Sequence, residues 1–210
     1  MDFQSERSLA SRAVAELRLV RSMKATLLLL AITIGAHVYA HDLPSAVFSD
    51  RRTYDRFVAA TDVTATRLLL KKSPNGTIAG DPWKLISYTR GETTIIPQAE
   101  AQQLRTLFTS QSSFLWHSDP ENGPRQIKAC APDYGVLFSF RGSDGLVSIA
   151  LCFRCDLFGV FWGEDDKAFR VNAEEDFDRI RPQLVELVKR LFPQDAIIQG
   201  LKPVNPNDGT

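Results

Sequence analysis

The clearest pattern in the chain is a pair of alternating runs. Val136, Phe138 and Phe140 alternate with Leu137, Ser139 and Arg141; after Gly142-Ser143-Asp144-Gly145, the residues Val147, Ile149, Leu151 and Phe153 alternate with Ser148, Ala150 and Cys152. Successive side chains on a strand point to opposite faces, so this pattern predicts a β-hairpin. A third strand is expected over Leu157 to Trp162 and a short fourth over Phe169 to Val171. Upstream, the β-branched and aliphatic run Val63 to Leu70, the turn residues Ser73-Pro74-Asn75-Gly76 and a second run from Trp83 to Thr89 predict another hairpin with a long connection. Phe114 to His117 reads as a further short strand before the loop Asp119 to Pro124.

Helical spacing appears in three places. Phe48, Tyr54, Phe57 and Val58 predict a helix near 50 to 60, with Ser49 or Asp50 as its cap. Leu104, Leu107 and Phe108 behind Pro97 predict another over about 97 to 110. Phe177, Ile180, Leu184, Leu187, Val188 and Leu191 predict a third from about 174 to 192, in which Pro182 either kinks the helix or marks its true start. With strands joined by hairpins rather than crossovers, the expected fold is α+β: a mostly antiparallel sheet with about three helices in a single domain over 41–200, followed by a mobile C-terminal tail over 201–210.

The N-terminus changes the picture of where this domain works. Lys24 precedes an apolar run from Ala25 to Ala36 and then Val38-Tyr39-Ala40, a small-x-small cleavage pattern, so residues 1–40 read as a secretory signal peptide. Residues 1–22 fit an extension from an upstream start codon, since Met23-Lys24 is itself an ordinary signal start. The apolar run is shorter than the roughly 20 residues a bilayer span needs, so no permanent membrane span is expected in the mature chain. An exported protein, periplasmic or secreted, is the expectation. Of the 25 basic and 25 acidic residues, five and three lie before residue 41, which leaves 20 and 22 and a net charge of about −2. Nucleic acid is therefore not expected as a partner.

Candidate chemistry centres on Cys152-Phe153-Arg154-Cys155, with Cys130 upstream. Thioredoxin-like redox work wants its first cysteine at a helix N-terminus, whereas this motif sits at the end of a strand and runs into another. Zinc or copper would need ligands beyond the three cysteines, and the mature chain offers His117 and His41. The reading favoured for an exported protein is a structural disulfide between two of Cys130, Cys152 and Cys155, with the third cysteine buried. A tight turn at Gly142-Ser143 puts Phe138 opposite Val147; extended, that register sets Cys130 across from Cys155 and turns Cys152 to the other face. Pro132 interrupts the ladder and leaves a Cys130 to Cys152 pairing open.

Other groups carry less. His117 beside Asp119 is half of an acid–base pair with no nucleophile to serve. Glu164-Asp165-Asp166 with Asp156 lacks the spacing and glycine of a calcium loop. Gly142 to Gly145 has no lysine or following helix and reads as a turn, as does the glycosylation-like Asn75-Gly76-Thr77. No cofactor is expected.

The part from Cys130 to Leu201 resembles uncharacterised exported bacterial proteins that share, in order, a Cys-x-Pro segment, a hairpin ending in Cys-Phe-x-Cys and a closing helix ending in Phe-Pro. Here these are Cys130-Ala131-Pro132, Cys152-Phe153-Arg154-Cys155 and Leu191-Phe192-Pro193. In that pattern the position of Arg154 is often acidic, and the resemblance implies no activity. Two functions follow as expectations: a non-enzymatic exported module that binds a macromolecule or a small ligand, or a thiol-based metal-binding or redox protein using Cys130, Cys152 and Cys155.

Overall fold

Alternation places the central hairpin where it was expected, and the rest of the sheet assembles on it. The computed structural model describes residues 43–114, 131–163, 169–170 and 176–204 of the 210-residue chain. The described strands are β1 (Asp62–Leu70), β2 (Tyr88–Ile95), β3 (Val136–Gly142), β4 (Gly145–Cys152), β5 (Leu157–Trp162) and β6 (Phe169–Arg170), in spatial order β2-β1-β3-β4-β5-β6. Every pairing is antiparallel. The described helices are α1 (Leu43–Phe48), α2 (Arg51–Ala59), α3 (Gln98–Thr109), α4 (Arg181–Leu191) and α5 (Ala196–Gln199). Residues His41–Thr210 form one compact unit of the expected α+β class.

One face of the sheet carries Phe138, Phe140, Ile149, Leu151, Phe158 and Val160. Against it pack Phe48, Phe57, Leu104, Phe108, Leu184 and Val188 of the helices, all fully buried. Ring contacts link the layers: Phe57 meets Phe140 at 4.4 Å and Phe108 meets Phe158 edge-on at 5.4 Å. Burying each such side chain contributes about 1.5–3 kcal/mol, which is what holds short helices in place. The other face carries Leu68, Leu137, Ala150, Cys152, Leu157 and Phe161 beneath Leu85, Tyr88 and Tyr134. The Tyr88 hydroxyl pins this loop layer, lying 2.9 Å from the carbonyls of Pro82 and Pro132 and accepting the Tyr134 amide at 3.2 Å.

Local signals set the helix ends. Asp50 caps α2 by accepting the Thr53 amide at 2.7 Å, as expected of one of the two candidates. Pro182 lies in the first turn of α4 and marks its start, after a single tight turn over Asp178–Ile180. The short α1 and α5 are additional to the three expected helices. The expected strand over Trp83 to Thr89 is displaced: Asp81 accepts the Trp83 amide in a turn, residues Leu85–Ser87 coil, and the strand runs from Tyr88 to Ile95. Leu115 to Pro124, including the expected strand end at Trp116 and His117, lie outside the described residues.

The register of the central hairpin is a correction. Phe138 pairs with Ile149 and Val136 with Leu151, and the ladder closes on Gly142 opposite Gly145 around Ser143-Asp144. The turn therefore falls one residue later than expected, and each strand residue faces a partner two positions further on. A two-residue shift leaves every side chain on its face, so the apolar pattern is equally satisfied by both registers. Gly145 absorbs the difference with φ +122, a conformation glycine adopts freely.

Gly159 on β5 is fixed by packing. A Cβ there would lie 2.7 Å from the Tyr134 hydroxyl oxygen and 2.7 Å from a Phe161 ring carbon. Gly159→Ala is expected to lower stability by about 1–3 kcal/mol through overpacking. Gly91→Ala, where the nearest atom would be 3.4 Å away, should stay within about 0.5 kcal/mol of the parent. Denaturant unfolding measures both, and equal midpoints for the two variants would contradict the packing described.

Candidate functional site

At the end of β4 the chain turns through Cys152-Phe153-Arg154-Cys155-Asp156 into β5. Asp156 sits at φ +53, a left-handed conformation that aspartate tolerates better than most residues, and its side chain is fully buried. A buried carboxylate needs a cation and donors, and Arg181, the first residue of α4, supplies them. Its Nη1 bonds the Asp156 carboxylate and donates to the Phe153 carbonyl at 2.8 Å, while Nε donates to the Lys202 carbonyl at 3.0 Å. The Phe177 amide donates to the Asp156 carbonyl at 2.9 Å, and the Phe177 ring packs edge-on against Phe153 at 5.5 Å. One arginine thus ties together the cysteine turn, the start of α4 and the C-terminal segment.

A second buried arginine stands on β1. Arg67 donates from Nε to Asp195 at 2.7 Å and from Nη1 to the carbonyls of Leu68 and Gly135 at 2.5 and 2.6 Å. Asp195 in turn caps α5, accepting the amides of Ile197 and Ile198 at 2.9 and 3.0 Å. Burial works to raise the Asp195 carboxyl, but the Ile198 amide, Arg67 and the Ile197 amide outweigh it and hold the group below the usual carboxylate range.

Between these two arginines lies an open groove of about 470 Å³. Its walls are the end of β1 with Leu69, the Phe153 turn, and α5 with Ile197 and Ile198. A second hollow, of about 480 Å³, lies between α2 and the β3–β4 turn. Arg51, Arg52 and Arg56 line it together with Asp55 and Asp144, and Arg51 is already bonded to Asp55 at 2.8 Å.

Cys152 and Cys155 are both buried, at the end of β4 and in the turn that follows it. Cys152 is a buried free thiol whose sulfur accepts the Asp133 amide at 3.2 Å. Burial pushes this thiol above its ordinary range, and the amides of Asp133, Cys155 and Arg154 offset only part of that. Cys155 is engaged in a disulfide, and none joins it to Cys152. It lies in the β4–β5 turn and packs in the same apolar cluster as Cys152, not on an extension of the hairpin. The ladder stops at Val136 and Leu151, with one further bond from the Gly135 amide to the Leu151 carbonyl. Cys130, His117 and His41 lie outside the described residues, as do Asp119 and Glu164 to Asp166. Among the described residues no group of three His, Cys, Asp or Glu side chains is placed to hold a metal ion, and no helix is long and apolar enough to cross a membrane.

Arg67, Asp195 and Arg181 were absent from the candidates read in the sequence, and Asp156 was weighed only as a calcium ligand. A charge inside the apolar run Val63 to Leu70, and an arginine immediately before the proline of a helix start, were the signals that could have found the two arginines. The chain matches no protein-family model, no curated protein and no solved structure.

The free thiol is testable. With its pKa raised and its sulfur enclosed, Cys152 should resist alkylation by N-ethylmaleimide at pH 8 in the native protein and react promptly after unfolding without reductant. Peptide mapping reads the label; rapid native labelling of Cys152 would contradict its burial.

Proposed function

We propose that this chain is an exported, non-enzymatic binding module whose ligand occupies the groove between β1, the cysteine turn and α5. The observation that carries the reading is the groove itself: about 470 Å³, within the range of roughly 300–1,000 Å³ of small-molecule sites, and walled by apolar side chains beside fixed cations. Its walls come from rigid elements, since each is tied down by a buried arginine. That is the arrangement binding needs, because ordering costs are met before the ligand arrives.

Export is supported by the signal-like N-terminus and by the cysteines. Three cysteines are present, Cys152 is free and Cys155 is disulfide-bonded. We therefore assign Cys130 as the partner of Cys155, a bond that suits an oxidising compartment. Closing a loop of about 26 residues would stabilise the fold by about 2–4 kcal/mol. A disulfide sulfur is not a thiolate ligand, so this assignment favours the binding module over a thiol-based metal site.

One experiment addresses both parts. Protein recovered from the exported fraction should begin at His41 or within a few residues of it. Titrated with cyclohexanol, a neutral probe, it should give saturable amide shifts at Leu69, Ile197 and Ile198 that Ile197→Asp abolishes. An intact residue 1 on a cytosolic protein would remove the export reading, and shifts scattered away from the groove would remove the binding reading.

A further inference from the structure

Taking that groove as the binding site, the geometry points to its ligand class: we propose that it holds a fatty-acid-type amphiphile, a carboxylate head among the cations and an alkyl chain on the apolar wall. The inference rests on the reading above and adds the chemistry of the occupant.

Two observations carry it. The first is the state of the arginines. Arg67 and Arg181 are about nine-tenths or more buried, and their Nε and Nη1 nitrogens are engaged by Asp195, Asp156 and four backbone carbonyls. Among the described residues no acceptor engages the Nη2 nitrogen of either. Neither nitrogen is among the enclosed side-chain donors that lack an acceptor. Each guanidinium therefore keeps one donor for the groove it lines, held by a scaffold that leaves it little freedom to reorganise. A planar guanidinium suits a carboxylate oxygen better than a bulkier or neutral acceptor. Lys72 and Lys202 on the rim add charge against one carboxylate on the lining, Asp133.

The second is the exposure of the wall. Ile197 is 67% and Leu69 48% exposed, two large apolar side chains left in water on the lining of one groove. Covering them with an alkyl chain takes apolar surface of both partners out of water, which favours binding in proportion to the length of chain buried. The second hollow has the opposite character. Its arginines face Asp55 and Asp144, and Ala59 is its one aliphatic side chain, so it offers nothing to a chain.

Calorimetric titration of the full mature chain with octanoate, 1-octanol and acetate separates head from chain. Octanoate should bind about tenfold or more tighter than 1-octanol, and acetate should not saturate at comparable concentration. Raising the salt concentration should weaken octanoate and leave 1-octanol unchanged. The double variant Lys72→Glu/Lys202→Glu, altered only at exposed side chains, should lose about fivefold or more for octanoate alone. Ile197→Asp should weaken both chain-bearing probes. Equal binding of octanoate and 1-octanol would overturn the ligand class while leaving the binding module standing. Acetate binding as tightly as octanoate would overturn the role of the chain. If octanoate and cyclohexanol both fail to bind, the groove reading falls with the inference.

Discussion

The buried contact between Arg181 and Asp156 is the constraint on which the rest of this structure depends. A fully enclosed carboxylate in a left-handed turn is costly twice over, in desolvation and in backbone conformation. Arg181 meets the first cost, and the same guanidinium fixes the turn by holding the Phe153 carbonyl. Because Arg181 is also the first residue of α4 and holds the Lys202 carbonyl, the turn, the helix start and the C-terminal segment take one arrangement together. Replacing such a pair with apolar residues is often close to neutral, whereas breaking it leaves a stranded charge. Its value here is in specifying the geometry of the turn more than in adding net stability.

The groove is a consequence of that geometry. Part of its lining is the Phe153 turn held by Arg181; another part is α5, whose N-terminus is capped by Asp195, itself bonded to Arg67. A helix of four residues has little intrinsic stability, so α5 keeps its place through this cap and through Ile198, which reaches the core. Cys152 and Cys155, three residues apart, end in different states for related reasons. The first is enclosed at the end of a strand, where burial disfavours its thiolate, and the second stands in the turn, in a disulfide.

Much of the fold was legible from residue patterns, and the failures share physical causes. Alternation of Phe138, Phe140, Val147 and Ile149 identified the central hairpin and its faces, but a period of two cannot distinguish registers two residues apart. The position of Gly145 in the turn made that choice, and the described ladder ends at Val136 and Leu151, short of Cys155. The edge strand β2 is mostly exposed and polar, so no apolar rhythm announced it, and Trp83, Leu85 and Ile86 looked more strand-like than they are. Asp50 and Pro182 were readable because caps and helix starts are local. Arg67 and Asp195 stand 128 positions apart, and Arg181 and Asp156 25 apart, so neither pair leaves a local signature.

A double-mutant cycle on Arg181 and Asp156, read by guanidinium unfolding, tests the central claim most directly. Asp156→Asn keeps a residue tolerant of the left-handed turn, and Arg181→Met keeps most of the buried volume. Each single variant is predicted to lose about 3–5 kcal/mol, and the double variant to lose less than the sum by at least about 1.5 kcal/mol, because the second change removes a charge the first has stranded. Single losses below about 1 kcal/mol that simply add would contradict the account, since Arg181 and Asp156 would then not depend on each other.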